Sequence, residues 1–128
     1  MSEINIKKQS TASLRQKLYG IGALIEGAVI FALSVVPEFG EGINSGITAH
    51  GSSYVLLSFT LGLYFRSKHR SYPLLTAALA SAGFGAIIEL VQYTLPYRTC
   101  ELSDIAINLC SALLAMIPGY FLQAKGWV

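Results

Sequence analysis

The sequence predicts an all-α fold: a polytopic membrane protein built as a bundle of four transmembrane helices joined by short loops. Three observations predict it. Of 128 residues, 53% are hydrophobic and only 12% are charged, about half the charge of an ordinary soluble domain. The mean hydropathy is +0.54. The apolar residues also gather into four stretches, each long enough to cross a hydrocarbon core of about 30 Å at 1.5 Å per residue. The same arithmetic excludes other classes. A disordered chain would be polar and highly charged. A nucleic-acid module would need a larger basic excess than a net charge of +2, so no nucleic-acid partner is expected. Four spans use most of the chain, so function must reside in the helices and their loops.

The elements follow in order. Residues 1–17 carry Lys7, Lys8, Arg15 and Lys17 against Glu3 and read as a cytosolic tail that turns into an interfacial helix near Thr11–Lys17. The first span, 18–36, ends at Pro37, because proline disfavours helix in the residue before it and lacks an N–H. Ala32-Leu33-Ser34 resembles a signal-peptide cleavage site. The apolar run is longer than the roughly 7–15 residues of a signal core, however, and carries Glu26 near its middle, so it is expected to be kept as a span. The second span, 47–65, lies between a loop containing Gly40, Gly42 and Gly46 and the cation Arg66. The third, 74–95, is opened by Pro73 and closed by Pro96. The fourth, 104–123, takes Ser103 as its expected N-cap. Pro118 is expected to kink its last turns. Residues 124–128 form a second short cytosolic tail.

Charge fixes the orientation. Segments that would share one side carry Lys7, Lys8, Arg15, Lys17, Arg66, Lys68, Arg70 and Lys125, eight of the nine Lys and Arg residues. The other side carries Arg98 alone. By the positive-inside rule both termini are cytoplasmic, and the protein is a multi-pass protein of the cytoplasmic membrane. Cys100 and Cys110 are expected as free thiols: with Cys110 nearly two turns into the fourth helix, their separation exceeds the roughly 7 Å that a bridge spans.

Ionisable groups inside a span are costly and mark function by default. His50 and Tyr54 stand at i and i+4 in the second span, Glu89 and Gln92 at i and i+3 in the third, and Asp104 and Asn108 at i and i+4 in the fourth. Each spacing puts its pair on one helix face. Arg98 lies in the loop between the third and fourth spans. The topology brings these seven groups to one level near the outer ends of their helices, which predicts a polar cavity open to the outer face. Ser81, Gly85 and Ser111 continue these faces as small residues that permit close helix approach. Glu26 lies deeper and reads as a protonated carboxyl hydrogen-bonded between helices. There is no HExxH, no zinc-spaced Cys/His pair and no Gly-rich phosphate loop. No metal and no cofactor are assigned.

Glu89-Leu-Val-Gln92, followed by Pro96-Tyr-Arg98 and then Asp104-Ile-Ala-Ile-Asn108, resembles the E-x-x-Q…P-x-R…D-x-x-x-N signature of VanZ-like membrane proteins. His50-Gly-Ser-Ser-Tyr54 looks like the family's H-x-x-x-Y. The resemblance spans about residues 20–123. It departs where the family often has Asp-Lys, here Gly46 and Ile47, and where a Gly usually follows the Asn, here Ser111. It implies a four-helix domain in the cytoplasmic membrane and a link to cell-envelope or lipid-linked chemistry. The named member of the family is associated with low-level resistance to the glycopeptide antibiotic teicoplanin. None of this establishes an enzyme.

With that resemblance, the cluster is read as recognising or modifying an anionic envelope or lipid-linked substrate. Arg98 would hold the anionic group, since its planar fork suits phosphate or carboxylate. Glu89 and Asp104 would serve as acid and base, and His50 would shuttle protons. Gln92, Asn108 and Tyr54 would orient the substrate. The alternative is a non-enzymatic membrane scaffold or accessory subunit whose polar cluster holds helices together. A carrier is disfavoured, because below the cluster only Glu26 continues the polar level inward.

Overall fold

The computed structural model describes residues 3–37, 47–97 and 102–126, with the side chains of 3–8 and 47–50 outside that description. Among the described residues every regular element is an α-helix: α1 (Glu3–Val35), α2 (Ile47–Ser67), α3 (Pro73–Tyr93), α4 (Leu102–Leu114) and α5 (Met116–Ala124). Gln9–Val35, Pro73–Tyr93 and Leu102–Ala124 are each long and apolar enough to cross a membrane. α2, with 21 residues and one basic group in its last turn, extends about 32 Å. The protein is therefore an all-α, four-helix membrane protein, with α4 and α5 as two pieces of one span.

The helix limits follow from local chemistry. α1 starts at Glu3 and not near Leu18, so the polar segment continues the first span as helix. Its 33 residues reach about 50 Å, well beyond a bilayer core. It ends at Val35, two residues before Pro37. α3 starts with Pro73 at its first position and stops at Tyr93, before the Leu95-Pro96 pair that excludes further helix. α4 starts at Leu102, so Ser103 lies inside the first turn and is not the cap. The fourth span is interrupted at Ala115. Pro118 has no N–H for the Leu114 carbonyl, which explains a break at this place; the backbone bond from Gly119 N–H to Ala115 O, at 3.4 Å, carries the chain on into α5.

The turn between α2 and α3 is tight. The Arg70 N–H donates to Phe65 O at 3.1 Å and the His69 N–H to Arg66 O at 2.8 Å. This is the paired pattern that closes a helix through a left-handed residue. Here that residue is His69, with φ 52°, and Tyr72 ahead of α3 is also left-handed, with φ 53°.

α2 is the central element and packs against α1, α3, α4 and α5. The neighbours run antiparallel. A Cβ placed on Gly20, midway along α1, would lie 3.1 Å from the Tyr64 ring near the end of α2, while Glu26 further along α1 meets Thr60 earlier in α2, and a Cβ on Gly62 would lie 3.0 Å from Leu74 at the start of α3. One on Gly119 in α5 would lie 2.7 Å from the same Leu74 side chain. Leu74 thus fills a notch made by two glycines. The inner face of α3 comprises Leu74, Ala77, Ala78, Ser81, Gly85, Ile88, Glu89 and Gln92, one stripe at helical spacing. Small residues dominate it because in lipid, helices associate through close packing and not through apolar burial. Tyr72 and Tyr93 bracket α3 and are largely exposed, as expected of aromatic anchors at two membrane interfaces.

Candidate functional site

The α3 stripe carries the site. Its Gly85 makes room: an added Cβ would sit 3.0 Å from Asn108 Nδ2 and 3.0 Å from Tyr54 Cε1. Residues from α2, α3 and α4 therefore meet over one glycine. Glu89 follows Gly85 by one turn and interacts electrostatically with Tyr54. Tyr54 is 2% exposed, Glu89 1% and Asn108 1%. Close approach of α2 and α4 is aided by Gly51, whose added Cβ would lie 3.3 Å from Ser111 Oγ, and by Ser58 Oγ, which donates to Ala112 O at 2.8 Å.

Each of the three lies roughly two turns or less from the end of its helix that is remote from Arg66 and Arg70, within about 6–11 Å of it. Among the described residues, neither Nδ2 nor Oδ1 of Asn108 has a hydrogen-bond partner, and neither does Ser81 Oγ one turn below Gly85. A buried donor or acceptor left unsatisfied costs about 1–3 kcal/mol. The cluster combines a carboxyl, a phenol and a primary amide able both to donate and to accept, a set suited to a ligand carrying both kinds of group.

The other expected members divide. Asp104 is half-buried, one turn from Asn108 toward the same end. Gln92 turns to α1: its Nε2 donates to Ser34 O at 3.0 Å. His50 lies in the first turn of α2, and its side chain is outside the described residues, as is all of Arg98. Cys110 is free and exposed, while Cys100 lies outside the described residues. Glu26 accepts a hydrogen bond at 3.0 Å from Thr60 Oγ1, joining α1 to α2 as expected for a carboxyl between helices.

The family model for VanZ/LLP1 matches residues 7–123, a span that takes in most or all of each helix and every member of the cluster. The chain belongs to the VanZ/LLP1 family. Comparison with curated proteins and with solved structures returned no significant match. In this VanZ/LLP1 chain, no group of three His, Cys, Asp or Glu side chains able to hold a metal occurs among the described residues; Glu89 and Asp104 are the carboxylates that the cluster offers.

Three participants escaped the sequence reading of this VanZ/LLP1 chain. Ser58 ties α2 to α4, and Tyr97 ties the segment after α3 to α1 through its hydroxyl, which donates to Val35 O at 2.9 Å. Gly85 appeared only as a small residue on a polar face, and nothing in the sequence singles it out as the floor of the site. Its signal was position: one turn from Glu89, on the stripe shared with Ser81.

Proposed function

We propose that the cluster of Tyr54, Glu89 and Asn108, with Asp104, His50 and Arg98 toward the membrane surface, recognises an anionic envelope or lipid-linked substrate at the outer leaflet. The observation that carries this reading is the Asn108 amide, 1% exposed with both polar atoms unsatisfied among the described residues. Native cores rarely tolerate such a group unless something else satisfies it. Arg98 is assigned to the anionic group, Glu89 and Asp104 to acid–base work, His50 to proton shuttling, and Tyr54, Gln92 and Asn108 to orientation. The excess of Lys and Arg at the opposite end supports a cytoplasmic side there, with both termini, and an outer position for the cluster in the cytoplasmic membrane. Association with teicoplanin tolerance belongs to this reading as well.

The test uses the purified protein and cells that express it. Wild type is expected to bind a polyprenyl phosphate in detergent and to raise teicoplanin tolerance. Glu89→Gln and Asp104→Asn are expected to lose the tolerance while keeping expression and melting temperature. Full tolerance in both variants would remove the catalytic assignment.

The second reading, a scaffold or accessory subunit, draws on a different observation. The Gln92 amide is used on the Ser34 carbonyl, and Tyr54, Glu89 and Asn108 are almost fully enclosed, as helix-tying polar groups would be. Under it, Glu89→Gln and Asp104→Asn lower the melting temperature, and function falls only in proportion.

A further inference from the structure

A second feature lies along α1 and shares no residue with the cluster, although its wall residues Ala23 and Leu57 pack in one core with Tyr54. Beside its seam with α2, α1 leaves an open groove of about 960 Å³ against α2 and α3. Its walls are apolar and small: Gly20, Ala23 and Gly27 of α1 face Leu57 and Leu61 of α2 and Phe84 of α3. Toward the basic end stand Lys17 and Lys68, with Gln16 and Ser13 beyond them, and no Asp or Glu among the described residues lines the groove. The Lys68 ammonium lies 5.8 Å from the centre of the Tyr64 ring, a cation–π distance that holds it at the groove's mouth. From Lys17 to Phe31 the groove runs about 21 Å along α1, rather more than the depth of one hydrocarbon leaflet. On its lipid side Leu24 is 75% exposed, so in this membrane protein the groove opens into the bilayer.

An apolar groove at least one leaflet deep, with two cations near one end, is the complement of an amphiphile with a negative head. We propose that this groove binds an anionic glycerophospholipid, with one acyl chain lying along Leu24, Gly27 and Phe31 and the phosphate between Lys17 and Lys68. The neighbouring basic cup on the far side of α1, which contains Arg15, Arg66 and Arg70, is not part of the site. It has the same sign of charge and a more polar lining, and it serves as the internal control.

The test is lipid retention. The full chain is reconstituted in vesicles of equal parts phosphatidylglycerol and phosphatidylcholine and extracted in polymer-bounded discs, and its retained lipid is identified by mass spectrometry. Two lysines near an anionic phosphate correspond to an enrichment of phosphatidylglycerol of about thirtyfold. Lys17→Gln with Lys68→Gln is expected to abolish the enrichment, and each single change to reduce it. Gly27→Leu has room, since an added Cβ lies 3.9 Å from Phe84. It is expected to cut retention of both lipids. Arg15→Gln with Arg70→Gln is expected to leave the enrichment intact. Melting temperature confirms that each variant is folded.

Three results overturn the proposal. One is equal retention of the two lipids by wild type. Another is enrichment that depends on Arg15 and Arg70 and not on the lysines. The third is a dimer that Gly27→Leu dissociates with lipid retention unchanged, which would give the groove to a second copy of the chain. Failure of any of these leaves the Glu89 cluster untouched, because no residue is shared.

Discussion

α1 and the α2–α3–α4 trio are held by different means. In the trio, glycine, alanine and serine bring backbones together, and the side chains between them are almost fully enclosed. Of the most apolar 18-residue stretch of α1 only 6% is buried, against 39% for α3. α1 is attached by a narrow apolar seam, Ala23 and Ile30 against Tyr54, Leu57 and Ile88, and by separate polar ties: Thr60 to Glu26, Gln92 to Ser34, and Tyr97 to Val35. Close packing defines a unit with an interior that can shelter a polar cluster. A narrow seam with a few polar ties leaves a helix with most of its surface exposed and a groove at its side. The two candidate sites follow this division, one within the trio and one along α1.

The comparison can be broken at its strongest point first. Gly85→Leu inserts a side chain where even a Cβ meets Asn108 and Tyr54 at 3.0 Å. Overpacking of this kind costs about 1–3 kcal/mol, and a clear fall in melting temperature in detergent is expected. Gly27→Leu on α1 should leave the melting temperature nearly unchanged. If the two substitutions cost the same, α1 is as tightly packed as the trio. Asn108→Leu removes an unsatisfied amide at similar shape and should hold or raise stability by about 1 kcal/mol. Polyprenyl phosphate binding should be lost in the same protein, a combination that a purely structural role would not give. The smallest effect is expected for Thr60→Val, which removes one tie of α1. Polar ties in membranes average about 0.6 kcal/mol. Hydrogen exchange should show faster opening near Glu26 with little change in α3.

Much of the fold was legible because lipid imposes a simple code. Four apolar stretches gave four spans, and Pro37, Pro73, Pro96 and Pro118 marked limits or breaks that the helices obey. The N-terminal extension of α1 was not legible. Glu3–Lys17 has no apolar period, and a helix outside the bilayer leaves no hydropathy signal. Within the site, Tyr54, Glu89 and Asn108 were legible from their positions near one end of three neighbouring helices. The partner of Gln92 was not. At 3.6 residues per turn, i+3 falls about 60° round the helix from i, enough for Glu89 to face α2 while Gln92 faces α1. Ser58 was illegible for a different reason: a serine inside an apolar stretch looks alike whether it packs, ties a helix or bonds its own backbone.

The turn between α2 and α3 also limits how this sequence can drift. Position 69 is held at φ 52°, a conformation that glycine adopts freely and asparagine tolerates, and that β-branched side chains avoid. Substitution there by Gly or Asn is nearly silent, whereas Val, Ile or Thr would oppose the reversal that sets the two central helices side by side. A position with an exposed side chain and no part in either site, although it follows Lys68 directly, is thus among the less mutable in the chain, and its alternatives are set by backbone geometry and not by chemistry.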